Sequence, residues 1–288
     1  MPSRSQARGR ALEIVRQLGI TTPQEIDVEN IAWMRGALVH ELPLEGIEGR
    51  VVCGERRAVI TVKEGIPEVG RRRFVVAHEL GHVELHRGKS QIALCTGDDL
   101  VYFYYKRVRP EESEASEFAS ELLLPEPLVR PRFEKAAPDL ANIAGLAEEF
   151  RTSLTATSLR FIDLSVERCA VVVSEKRAVR WYRATEDFGY HLEPGTPLNE
   201  DSYAVDFFSG KELPREMRTV RAAAWLSGEK VGSRHQIKEQ SWAMPRYGVV
   251  LTLLWIYEAF DREESLDEDE EPEPDPDHFT RDGKRWRW

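Results

Sequence analysis

The 288-residue sequence is short of cysteine, has no long apolar run and carries no excess of positive charge. Its three cysteines, Cys53, Cys95 and Cys169, are odd in number and widely spaced. That excludes a disulfide framework and offers no zinc spacing. Near the C-terminus the uncharged run that contains Val249–Tyr257 stays far below the roughly 20 apolar residues that a bilayer-spanning helix needs. The first ten residues are basic but lack the apolar stretch of a secretory signal. No internal repeat is visible. The expectation is a cytoplasmic protein with no membrane partner.

The net charge of −10 is unevenly distributed. Residues 261–278 hold eleven acids against Arg262 alone, and residues 279–288 carry four basic groups against Asp282. The first 260 residues are therefore close to neutral. They lack the positive field that nonspecific nucleic-acid binding requires. The Pro- and acid-rich segment 261–288 reads as a disordered tail.

Apolar spacing predicts helices over about 6–19, 22–36, 70–88, 111–124, 140–150 and 154–164, with Thr152 or Ser153 capping the last. β-Branched runs predict strands at 37–39, 49–53 and 57–62, the last two joined as a hairpin across Gly54. After Ser165 the texture becomes β-rich, with strands expected at 169–173 and 178–182 and apolar runs at 219–226 and 247–256. The chain divides into four units: 1–135, a helix pair at 136–165, a C-terminal α/β domain at 166–260, and the tail.

The segment that carries chemistry is Arg73-Phe-Val-Val-Ala-His78-Glu79-Leu-Gly-His82-Val-Glu-Leu-His86. Residues four apart on a helix leave the same face one turn apart, so His78 and His82 can both reach one tetrahedral zinc ion. Glu79 lies next to the first imidazole. Zinc lowers the pKa of a bound water from about 15.7 to about 7, and a neighbouring carboxylate then serves as general base. Hydroxide attack on a polarised peptide carbonyl is hydrolysis, so the pattern predicts a metallopeptidase. The run Val59–Val62 is expected to hold an extended substrate. Gly81 keeps the helix surface between the two histidines small.

A catalytic zinc has three protein ligands. On the helix after Pro110, residues Ala115, Phe118, Ala119 and Leu122 mark the buried side, and Glu114, Glu117 and Glu121 flank it. Spacing does not choose among those three. Glu111 and Glu112 read as a solvated acidic face. His86 would stand about 12 Å from His78 on a straight helix, which suits a helix-end histidine or one that touches the ligands from outside. His40, His191, His235 and His278 have no partners at ligand spacing and read as structural or surface groups.

The stretch 72–86 followed by Glu114-Ala-Ser-Glu-Phe-Ala-Ser-Glu-Leu-Leu-Leu-Pro125 resembles the ImmA/IrrE family of zinc metallopeptidases. Asp27–Ala32 and the helix pair 140–156 are similar to further parts of that family. The resemblance implies an α+β fold. Its parts are a zincin-like core with a small twisted sheet and the HExxH helix, then a helix pair, then a β-rich, GAF-like C-terminal domain. It implies a gluzincin-like metal set of His78, His82 and Glu114, with Glu79 catalytic and Ser116 where the family has Asn. The metal would be zinc, with manganese as the alternative.

The resemblance further implies a zinc endopeptidase that makes a limited cut in a helix-turn-helix repressor, releasing stress-response or mobile-element genes. The alternative is a zinc-containing regulator that sequesters a repressor without cutting it. Direct DNA binding is disfavoured, because helix 154–164 offers only Arg160 as a basic residue. One of Tyr102, Tyr104 or Tyr105 is a candidate to steady the oxyanion. Trp181, Trp225, Trp242 and Trp255 read as core, with a small-molecule or protein ligand site in the C-terminal domain as the other reading.

Overall fold

The computed structural model describes residues 3–54, 56–87, 92–95 (backbone only), 109–228 and 231–258. The acidic tail, the Tyr102–Tyr105 cluster and the expected helix stop at Gly88 lie outside the described residues. Helix α1 (Arg4–Gln17) starts at a reciprocal cap between Ser3 and Gln6 and ends before Gly19, whose φ is 66°. Helix α2 (Val28–Met34) is capped by Asp27 and stops at Gly36, with φ 78°. Strands β1 (Ala37–Leu42), β2 (Gly49–Cys53), β3 (Ala58–Lys63) and β4 (Ile92–Cys95) form a sheet in the order β1-β3-β2-β4.

In that sheet β1 runs parallel to β3, while β2 is antiparallel to both β3 and β4. The expected β2–β3 hairpin is present, with the Gly54 N–H donating to the Arg57 carbonyl. Helix α3 (Val69–His86) lies across one face of the sheet. Its Val75, Val76 and Leu80 are buried with Val51, Ile60 and Val62. Because β3 is paired on both sides, its backbone has no edge to offer a substrate, which corrects the expectation for Val59–Val62. Among the described strands the outer edges belong to β1 and β4.

Helices α4 (Pro110–Leu123), α5 (Glu126–Phe133), α6 (Leu140–Glu149) and α7 (Leu154–Leu164) come next in the chain. Ser153 supplies the cap of α7, accepting from Ala156 N. The second sheet is fully antiparallel, in the order β6-β5-β9-β8-β7. Its strands are β5 (Cys169–Glu175), β6 (Ala178–Ala184), β7 (Arg218–Arg221), β8 (Gln236–Met244) and β9 (Val249–Trp255), and the short helix α8 (Ala204–Phe208) packs near β8.

Both faces of this sheet are covered. Val171, Val173, Leu251 and Leu253 join the core that contains Phe133, Phe161 and Leu164. Ala170, Val172, Val250 and Leu254 join a second core with Phe188, Leu192 and Trp225. Burial on both sides explains why β5 and β9 read as continuous apolar runs rather than alternating ones. No described helix is long and apolar enough to cross a membrane.

Candidate metal centre

Helix α3 brings His78, Glu79 and His82 into the interior, at 1%, 0% and 5% exposure. Gly81 is what allows α4 to come close. A Cβ at that position would lie 3.0 Å from Ala115 Cα and 3.2 Å from the Phe118 ring. This near contact sets the first turn of α4 beside the two imidazoles.

There, His78 Nε2 is 3.1 Å from Glu112 Oε2, His82 Nε2 is 3.4 Å from the same oxygen, and the two Nε2 atoms are 3.2 Å apart. Nitrogen and oxygen donors about 2.0–2.1 Å from one tetrahedral ion stand about 3.3 Å from one another. The triangle of buried His78, His82 and Glu112 has that size and that donor chemistry, so the residues fit a divalent metal. The second oxygen of Glu112 accepts from Arg109 Nη2 at 2.8 Å.

The resemblance carries the third position to Glu114, whereas the carboxylate that lies beside both imidazoles is that of Glu112. Glu114 Oε2 lies instead 2.8 Å from His86 Nε2. Neither of the other two candidates reaches the imidazoles. Glu117 holds Arg8 at 2.6 Å, and Glu121 pairs with the fully buried Arg160. Glu112 is not the solvated acid that its polarity suggests, since it is only 5% exposed. A sequence signal for it existed. Glu112 stands three, seven and ten residues before Ala115, Ala119 and Leu122, so it continues their buried stripe by one turn. Its polarity alone sets it apart from that stripe.

The surrounding contacts are equally specific. Ser116 Oγ is 3.1 Å from His78 Nδ1, and His86 Nδ1 is 3.1 Å from His82 Nδ1. Burial pushes the pKa of His82 down, against the pull of Glu112, and lowers His86 against the pull of Glu114. Burial by itself would raise the Glu112 carboxyl, but the imidazoles of His78 and His82 outweigh it and hold the group well below the usual carboxylate range. A neutral His82 imidazole beside an ionised Glu112 carboxylate is the pair of forms in which such groups ligate metals.

Glu79 points to the start of β2. A Cβ on Gly49 would lie 2.6 Å from Glu79 Oε1 and 2.6 Å from Val75 Cγ1, so only glycine leaves room for this carboxylate. Gly49 pairs in turn with Cys95 of β4.

Residues 34–161 match the family described as the IrrE N-terminal-like domain, a peptidase family. Over this stretch the chain carries a domain similar to that family. The match spans the sheet, α3, α4 and most of the helix pair, and it includes all three donors of the triangle. Among solved structures, a chain described as a Mycobacterium tuberculosis transcriptional regulator has the same overall fold. Its TM-score is 0.55 at 15% identity, over 87% of this chain and 75% of that one. No curated protein matches the sequence.

Outside the matched domain, Trp181 and Trp225 are buried, at 4% and 8% exposure. Trp225 also helps to line a cavity of about 600 Å³ with Tyr190, His191, Leu198, Asn199 and Ser227. Its indole N–H donates to Glu239 Oε2 at 2.8 Å. Glu239 Oε1 accepts from Ser241 Oγ and Ala204 N, both at 2.8 Å. On α7, Arg160 is 1% exposed and bound to Glu121, so the single basic residue of that helix faces the core rather than a phosphate backbone.

Proposed function

We propose that this chain is a zinc endopeptidase of the ImmA/IrrE family that makes a limited cut in a regulatory protein, a helix-turn-helix repressor. The reading rests above all on the triangle of His78, His82 and Glu112, whose sides match the spacing of three donors on one tetrahedral ion. Held by His78, His82 and Glu112, zinc would supply a water that ionises near neutral pH and an electrophile for the peptide carbonyl. Glu79, buried at 0% exposure in the room left by Gly49, takes the proton of the attacking water and passes it to the leaving amine. The outer edge of β4 pairs with an extended stretch of substrate through main-chain hydrogen bonds. Manganese is the alternative ion.

Regulation as the setting comes from the family resemblance, and the shared fold with a chain described as a transcriptional regulator agrees with it. The cavity beside Trp225, at about 600 Å³, lies within the size range of small-molecule sites and gives the C-terminal domain a place to receive a ligand. The test uses the full chain with zinc and a candidate repressor. The wild type should bind one zinc and cut the repressor at one position. Glu79→Gln should keep its zinc and lose about 10²- to 10⁴-fold in cleavage rate. A Glu79→Gln protein that cuts normally refutes the general-base role. Intact repressor held by zinc-loaded wild type would favour sequestration instead.

A further inference from the structure

The contacts around the two imidazoles give His86 and Glu114 a shared role, an inference that rests on the metal-centre reading. His86 Nε2 is 2.8 Å from Glu114 Oε2, and His86 Nδ1 is 3.1 Å from His82 Nδ1. A carboxylate offers only lone pairs, so the proton between His86 and Glu114 sits on His86 Nε2. A neutral imidazole has one N–H and one lone pair, which makes His86 Nδ1 an acceptor. His82 Nδ1, facing it, must then be the donor. The lone pair of His82 is left on Nε2, the atom 3.2 Å from His78 Nε2 and 3.4 Å from Glu112 Oε2. With His82, His86 and Glu114 at 5%, 4% and 4% exposure, water has little access to compete for these bonds.

We propose that Glu114 and His86 are positioning residues, a hydrogen-bonded chain that fixes His82 with its proton on Nδ1 and its lone pair toward the metal. His78 is held differently. Its Nδ1 faces Ser116 Oγ at 3.1 Å, and a hydroxyl can donate or accept, so this contact permits either tautomer: without metal Nε2–H donates to Glu112 Oε2 at 3.1 Å, and with metal the proton moves to Nδ1. The two imidazoles therefore divide the task. His82 is set before the ion arrives, and His78 adjusts to it. Partners of this kind orient the ring, and their loss typically costs about 10- to 100-fold in metal affinity.

The direct test is imidazole ¹⁵N NMR on the metal-free full chain, where the two tautomers give different coupling patterns. The expected result is a proton on Nε2 of His86 and on Nδ1 of His82. A proton on Nδ1 of His86 overturns the proposal. Zinc affinity, read by competition with a chromophoric chelator, gives the second readout. Glu114→Ala should weaken zinc about 10- to 100-fold, whereas Glu114→Gln, whose amide oxygen still accepts from Nε2–H, should stay within about threefold of wild type. Equal losses in both variants would mean that the charge of Glu114 matters and the hydrogen-bond chain does not.

His86→Asn provides a control should Glu114→Ala fail to fold. Its amide oxygen can accept directly from His82 Nδ1–H, so zinc affinity should largely survive. Glu114→Gln should add no further loss in that background. An additional loss there would refute the chain. A wild type that binds no zinc would refute the metal centre itself, and the tautomers measured without metal would still decide the chain.

Discussion

Glu112 and Glu239 are both buried carboxyl groups, one in each half of the molecule, and their surroundings push them in opposite directions. Glu112 faces two imidazoles and a guanidinium, and it is held below the ordinary carboxylate range. Glu239 accepts only from neutral donors, the Trp225 indole, the Ser241 hydroxyl and backbone N–H groups, and burial raises it. The first environment keeps a charge in readiness for a cation. The second uses a carboxyl to tie α8, β8 and the Trp225 loop together. Burial of an acid is thus not a sign of chemistry by itself; the nature of its partners is what separates the two cases.

The strongest test of this contrast is zinc affinity. Glu112→Ala should weaken it by more than about 100-fold, since loss of groups that merely support ligands costs 10- to 100-fold. Glu239→Ala should leave it within about twofold. If both variants lose zinc, the contrast fails. Stability gives the complementary measure. Glu239→Ala leaves buried donors of Trp225, Ser241 and Ala204 without their acceptor, for an expected loss of about 2–4 kcal/mol in denaturant unfolding.

Gly49→Ala probes the room around Glu79. The added methyl would meet both Glu79 and Val75, so about 1–3 kcal/mol of stability should be lost, together with a displaced carboxylate and slower cleavage. The smallest effect is the dependence of metal-free stability on pH. His82 and His86 lie below their ordinary 6.5, so the unfolded chain takes up protons first and their contribution falls away as pH drops through that value. Glu239 lies above its ordinary 4.5, so its contribution falls away as pH rises from there. Denaturant midpoints of wild type against Glu239→Gln across this range should show the second slope removed and the first unchanged.

The sequence made α3 legible because its apolar stripe and the paired histidines share one period, and the hairpin was marked by its glycine turn. Glu112 escaped because an acid on an apolar stripe looks like the edge of that stripe. β8 escaped for a related reason. Its centre, Glu239-Gln240-Ser241, is polar and yet buried at 1–2% exposure, and hydrophobic periodicity has no means of registering a strand whose inward groups satisfy one another. α5 was hidden by Pro127 and Pro131. The first sits in the opening turn, where proline is tolerated, and the second lies inside the helix. The role of the sheet edge depends on strand order, which no local pattern encodes.

Strand β5 has Val171 and Val173 on one side and Ala170 and Val172 on the other, each pair embedded in a different core. A peptide that is wallpaper for two rooms cannot be stripped from one without baring the other. Cutting the chain at residue 165 should therefore yield a peptidase fragment prone to aggregation through Phe133, Phe161 and Leu164. Heating the intact protein should melt both halves in a single calorimetric peak.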